Sequence, residues 1–266
     1  MGFSKIIGMT HQPSFAQAEF ATKKKTTRRE KFLARMDLAA EGVPDATTLL
    51  NFRRLLETHD LCKGLFTAIN AALAARDLLL REGTLVDATL IAAPPSTKNR
   101  AKQRDPDMHQ TRKGHQWSFG MKAHIGADRD SKLVHTIVVT AAHVADITQT
   151  AKLLHGQERQ VHADAGYTGV ETRAEIVALA RKMDWQIAGK RGAIQAMAEG
   201  AEKETLKAIE KAKASVRAFV EHPFYIVKNL FRHRKVRYRG LAKNGHQLYT
   251  LFGLANGVIG GRAATS

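Results

Sequence analysis

The sequence predicts an α/β protein: a mixed central sheet with flanking helices, preceded by a short helical N-terminal segment. Three observations carry that expectation. Short β-branched, apolar runs recur at 83–91 (GTLVDATLI), 135–140 (HTIVVT) and 160–163 (QVHA), each bounded by polar or turn-forming residues. Between and after them lie stretches of helical period, the longest at 199–230 with Leu206, Ile209, Val216, Phe219 and Val220 on its apolar side. The resulting order of strand, hairpin, helix, strand, helix, strand and long helix suits one sheet covered on its faces.

The elements follow in chain order. Residues 1–42 have weak periodicity and a dense basic run, KKKTTRREK at 23–31, and read as a basic arm entering a short helix. In 43–61 Asp45, Thr47 or Thr48 can cap a helix whose apolar face holds Leu49, Phe52, Leu55 and Leu56. A second amphipathic helix spans 63–80 through Leu65, Phe66, Ile69 and Leu73, so 43–82 reads as a helical segment ahead of the sheet. The strand at 83–91 is apolar around one acid, Asp87. Residues 92–116 are polar, with Pro94, Pro95 and the basic tract KNRAKQR at 98–104, and read as a long functional loop. Residues 117–140 form a hairpin turning at 128–132, followed by a short helix at 146–154, a strand at 160–163, a helix at 170–183 and a strand at 185–188. The sheet-bearing domain is expected over 83–256, with 257–266 as a tail.

Composition narrows the partners. Lys and Arg number 42 against 25 Asp and Glu, a net charge of +17, which favours a polyanion and above all nucleic acid. A single cysteine, Cys62, excludes a disulfide framework and a cysteine-based zinc ribbon, and suits a reducing cytoplasm. The apolar run at 251–261 is too short and too rich in glycine to span a bilayer, and no membrane partner is expected. MGFSKI at the start has Ile6 where a myristoylation motif needs Ser or Thr, and no signal-peptide pattern is present.

The stretch VHADAGYTG at 161–169 sets an acid, Asp164, where a strand stops and the backbone turns. An acid there can simply cap the next helical turn. It can also be a metal ligand at the lip of a sheet, if other acids join it. Phosphoryl transfer without a P-loop needs about three carboxylates converging on Mg²⁺, which takes oxygen ligands and leaves room for substrate phosphate. Asp87 and Asp164 become neighbours if their strands pair in parallel. RAFVEHPFYIVK at 217–228 supplies a third acid, Glu221, with Arg217 four residues before it and Lys228 seven after. At about 100° per residue the three fall within roughly 60° on one helix face. The plain alternative for Arg217 and Glu221 is a solvated i, i+4 ion pair.

VDATLI, GMKAHIG, ADAGYTG and RAFVEHPFYIVK, in this order and spacing, resemble the successive motifs of DDE transposases from bacterial insertion sequences. The likeness is closest to the family named after insertion sequence five, and VPDATTLLNFRRLLE (43–57) and KVRYRGLAKN (235–244) have counterparts there too. It extends over roughly residues 43–256. The resemblance implies an RNase H-like fold, Asp87, Asp164 and Glu221 as a catalytic and metal-binding triad, and two Mg²⁺ ions for which Mn²⁺ can substitute. It also implies that Arg217 and Lys228 contact DNA phosphate. Lys122, His124, Arg237 and Arg239, read as exposed basic residues, are further candidate strand contacts. The activity implied is strand cleavage by an activated water at an element's ends, then attack of the freed 3′-hydroxyl on target DNA. The partner is double-stranded DNA, at both ends and target, bound by a homodimer on the nucleoid. Ala214 stands where neighbouring groups carry Tyr, and His143 where Asn is expected. The TRREKFLARMD stretch (27–37) runs almost directly into 43–48, so a helical piece found in relatives is shortened. That shortening motivates one rival reading, a DNA-gripping remnant that does not cut; a different two-metal nuclease on the same fold is the other.

Overall fold

The computed structural model describes residues 45–80, 82–100, 102–189 and 191–263. The basic arm and short helix expected in 1–42 lie outside these residues. The chain divides into two units, Met1–Arg54 and Leu55–Ser266. Of the first, only the start of α1 (Ala46–Thr58) is described. Asp45 does cap it: Thr48 N–H donates to Asp45 Oδ1 at 2.6 Å. Leu49 and Phe52 of the expected apolar face are exposed, and α1 buries no residue.

In the second unit, α2 (Leu61–Ala74) buries Cys62, Phe66, Asn70 and Leu73, one stripe at helical spacing, while Leu65 stays exposed. Six strands follow: β1 (Gly83–Ala92), β2 (His109–Lys113), β3 (Gln116–Asp128), β4 (Val134–Ala141), β5 (Gln160–Ala163) and β6 (Asp184–Ile187). They form one mixed sheet in which β3 pairs antiparallel with β1, β2 and β4, while β1, β5 and β6 run parallel. Short helices α3 (Thr150–Leu153), α4 (Ala174–Val177) and α5 (Arg191–Gln195) lie in the connections. The chain then enters α6 (Ala201–Arg217), α7 (Glu221–Tyr225) and the long α8 (Leu241–Ala263).

Strand alternation divides the core between the two faces of the sheet. Leu85 and Ile91 of β1 pack with Met121, Ala123 and Ile125 of β3 beneath α2 and α8, through Phe66, Leu73, Leu248, Phe252 and Ile259. Val86 turns to the other face, with Leu153, Val161, Tyr167, Val170 and Ile176. This is an RNase H-like α/β arrangement, as the sequence predicts. Ile259 is buried, so the stretch after 256 continues the core helix α8 before the chain end. A polar knot ties α2, α8 and β4 together. Asn256 accepts from Val134 N–H at 2.8 Å, and its amide donates to Asn70 Oδ1 at 2.7 Å and to Val134 O at 2.6 Å.

Three elements differ from the sequence reading. The tract 92–116 is not all loop, because β2 forms a hairpin with β3 across the turn Lys113-Gly114-His115-Gln116. Gly114 has φ 59°, the positive value a two-residue hairpin loop requires at its first position and glycine tolerates without strain. The helix expected at 170–183 shrinks to a 3-10 turn (Val170–Thr172) and α4. The helix expected through 199–230 breaks into α6, a 3-10 turn (Ala218–Val220), α7 and a π-helical turn (Ile226–Leu230). Pro223 accounts for the restart, since without an N–H it is tolerated in the first turn of α7 and not in a helix interior.

Candidate active site

β1 and β5 pair in parallel, with Leu85 opposite His162. Two residues further along each strand come Asp87 and Asp164. Both line one cavity of about 850 Å³, together with Thr89, Lys113, Lys207, Glu210, Lys211, Arg217, Glu221 and Phe224. The three acids named from sequence therefore line one cavity, reached from β1, the end of β5 and the start of α7. Arg217, the last residue of α6, belongs to it as well.

Each side chain has a local cause. Asp164 caps the 3-10 turn Ala165–Tyr167, its Oδ1 accepting from Gly166 N–H at 2.8 Å. The capping role is thus real, and it fixes the carboxylate beside the cavity. A Cβ on Gly166 would lie 2.9 Å from Asp164 Oδ1, so glycine is what allows the turn to hold that oxygen so closely. Asp87 Oδ1 accepts from the N–H of Ala88 at 2.7 Å, and its Oδ2 lies 3.7 Å from Arg217 Nη1. Among the described ion pairs Arg217 therefore faces Asp87 rather than Glu221, unlike a solvated i, i+4 pair. Lys228 sits in the π-helical turn and donates to Thr89 Oγ1 at 2.6 Å.

Burial pushes the Asp87 carboxyl up to about 7; the charges of Asp164 and Glu221 add to the rise, while the Ala88 N–H and Arg217 oppose it. Burial also lowers Lys228, with Arg234 and Lys113 repelling it and Glu221 and Asp87 drawing the other way. Among the described residues no three His, Cys, Asp or Glu side chains stand close enough to hold an ion as they are. The donor chemistry still fits a hard divalent cation, being carboxylate oxygen only. The rise of Asp87 is chiefly an effect of burial, and the facing carboxylates add a smaller part. Among the described residues the buried Tyr167 hydroxyl has no hydrogen-bond partner, and it lies in the field of Asp146, Asp87 and Asp164.

The remaining basic candidates are elsewhere. Lys122 donates to Val144 O and pairs with Asp146, both at 2.8 Å. His124 is fully buried, against the expectation of an exposed residue, with Nε2 2.7 Å from Thr140 Oγ1 and Nδ1 3.6 Å from Asp146. Burial lowers its pKa to about 4. Even-numbered β3 positions face the side that carries residues 144–153, so His124 ties the sheet to that segment. Arg237 and Arg239 are exposed, on the stretch before α8, and line a smaller cavity of about 230 Å³ with Arg104 and Asn99. Sequence reasoning missed Lys113, Lys207 and Lys211. The alternation of HQTRK before Gly114 was the available signal for the first, and the i, i+4 spacing of Lys207 and Lys211 for the others.

Sheet connectivity places the chain in the RNase H-like α/β class, with an acid-lined cleft at the ends of parallel neighbouring strands. The family model described as Transposase DDE domain matches residues 79–256. The chain belongs to that family, which acts in DNA transposition and recombination and whose members generally use divalent metals. Among the described residues no helix is long and apolar enough to cross a membrane.

Proposed function

We propose that this chain is the transposase of a bacterial insertion sequence of the insertion-sequence-five family, cutting DNA at the element's ends and joining the freed strand to target DNA. It works on the nucleoid, in the cytoplasm, as a homodimer on double-stranded DNA. The observation that carries this reading is the parallel pairing of β1 with β5, which directs Asp87 and Asp164 into one cavity with Glu221 and Arg217.

In this reading Asp87, Asp164 and Glu221 hold two divalent ions, Mg²⁺ or Mn²⁺. When bound, such ions supply an activated water and neutralise charge on the phosphate under attack. The chain's own groups do the rest. Asp164 stays fixed by its bond to Gly166, and Asp87 by its bond to Ala88. Arg217, 3.7 Å from Asp87, is the cation best placed to turn toward a phosphate oxygen. Lys228, steadied on Thr89, meets the strand from α7's side of the cavity. Arg237 and Arg239 contact flanking phosphates.

The test is Mg²⁺-dependent nicking of a duplex bearing the element's terminal repeat. Asp87→Ala, Asp164→Asn and Glu221→Gln should each abolish nicking while the circular dichroism melt still shows a folded protein. Wild-type-like nicking by any one of them removes that residue from the site.

A second reading, a remnant that grips DNA without cutting, is favoured by one observation. The three acids stand apart, with Arg217 on Asp87. That reading requires DNA binding with no nicking at any divalent-metal concentration.

A further inference from the structure

The β2–β3 hairpin is not used by the reading above, yet it carries the chemistry of a nucleic-acid contact. Its outer part is HQTRKGHQW (109–117), which contains no acid. Trp117 is 62% exposed, an unusual setting for the largest apolar side chain. The Arg112 guanidinium lies 5.8 Å from the centre of its ring, and Arg112 Nε donates to Gly114 O at 2.9 Å, which holds it there. Two residues along β3, Phe119 repeats the arrangement with Arg104, 5.5 Å from its ring centre. Basic groups interleaved with aromatic faces are how proteins hold unpaired nucleic-acid strands, with bases stacking and cations tracking phosphate.

The hairpin also reaches the cavity of the acids. Lys113, next to Arg112, lines that cavity with Asp87, Thr89 and Asp164. Lys113 has no ion-pair partner among the described residues, and it and Arg234 both repel Lys228. Lys113, Lys228 and Arg234 thus gather positive charge beside the acids of the cavity, which suits a phosphate chain running past them.

We propose that the β2–β3 hairpin is a strand-holding finger, in which Trp117 stacks on an unpaired base on one face of the hairpin while Lys113, on the other face beside the acids, holds a phosphate of the strand. The partner is a DNA strand locally separated from its complement, and the inference rests on the DNA-cleaving reading above. Stacking needs an exposed π face and tolerates any base, so this contact adds grip on opened DNA without adding sequence preference.

The experiment pairs two readouts on the full chain. Anisotropy of a labelled duplex follows binding, and tryptophan emission follows stacking, in a Trp185→Phe background that leaves Trp117 as the sole tryptophan. The probes are one fully paired duplex and one with three unpaired nucleotides at the end. Expected are quenching that tracks binding and is larger for the unpaired probe, and at least about tenfold weaker binding of that probe by Trp117→Ala. Trp117→Phe should recover most of the loss, and Lys113→Ala should flatten the salt dependence by about 0.9 in slope. The affinity comparisons need no change at Trp185, so they stand even if that variant fails to fold. DNA binding with unmoved Trp117 emission and unchanged Trp117→Ala affinity overturns the finger and leaves the DNA reading intact. An effect of Trp117→Ala on sedimentation alone makes the hairpin a protein contact, which also overturns it. A wild-type chain that binds neither probe overturns both.

Discussion

Replacing Asp87 by Asn should make the metal-free protein more stable, and increasingly so as pH rises. The carboxyl is pushed from 3.8 to about 7, chiefly by burial. An acid raised in this way gives the folded state its full stability below the unfolded value, and that stability is lost as pH rises through the folded one. Above pH 7 the ionised Asp87 therefore costs the fold about 4 kcal/mol. Asn keeps an oxygen for the Ala88 N–H but carries no charge, so it mimics the protonated acid. It forgoes the approach to Arg217, whose side chain is 31% exposed, so that offset is small. The offset also hardly varies with pH, and the pH-dependent part is the clean quantity. Between pH 5 and pH 8 the advantage of Asp87→Asn over wild type should grow by about 2.5 kcal/mol. Urea unfolding of both proteins at the two pH values, without divalent metal, measures it. Adding Mg²⁺ at pH 8 should stabilise wild type, by about 2.7 kcal/mol at a hundred times its dissociation constant, and leave the variant unmoved. Parallel stability curves for the two proteins from pH 5 to pH 8 would refute the account of Asp87 as a strained, cation-seeking carboxylate.

Further outcomes follow from the same geometry. Arg217→Ala and Lys228→Ala should each reduce the slope of log affinity against log salt by about 0.9, one phosphate contact each, read from binding at three or more salt concentrations; unchanged slopes put both residues off the DNA path. His233 is buried and its pKa is lowered to about 4, mainly by desolvation with help from Arg237. Its contribution is therefore complete above 6.5 and is lost as pH falls toward 4, about 3 kcal/mol in all. His233→Met should flatten the stability profile over that window, and a profile as steep as wild type would count against it. Asn256→Ala should cost about 3 kcal/mol in a urea melt, because the Val134 N–H and Asn70 Oδ1 lose their buried partner; a loss below about 1 kcal/mol would mean the knot carries little.

The local geometry of the candidate site was legible in the sequence. Asp87 and Asp164 stand in short β-branched runs whose period sets the strand, and the ADAGYTG turn needs Gly166 for its bond to Asp164. The β1–β5 pairing was only a condition in the sequence reading, because three antiparallel strands intervene, and it appears in the parallel register of Leu85 with His162. What was not legible depends on tertiary context. The apolar content of β2 is low because it is an edge strand with largely exposed faces, so HQTRK reads as loop until it is paired with β3. The His124 ring looks like any basic strand residue, and only the closure of residues 144–150 over β3 buries it. The core extends along α8 past 256 because Ile259 meets α2, a contact between residues far apart in sequence. Arg217 on Asp87 joins a helix end to a strand, and no spacing rule reports which acid a flexible arginine chooses.

The central claim is that Asp87, Asp164 and Glu221 hold the metal, and the most direct test maps the metal without relying on turnover. Fe²⁺ takes the place of Mg²⁺, and ascorbate with hydrogen peroxide then generates hydroxyl radicals that cut the polypeptide next to the bound ion. Fragment masses give the cut positions. The account predicts cuts clustered at 87, 164 and 221, suppressed by excess Mg²⁺ and lost together in Asp164→Asn. Cuts confined to other positions, or a pattern that Mg²⁺ and Asp164→Asn leave untouched, would contradict it.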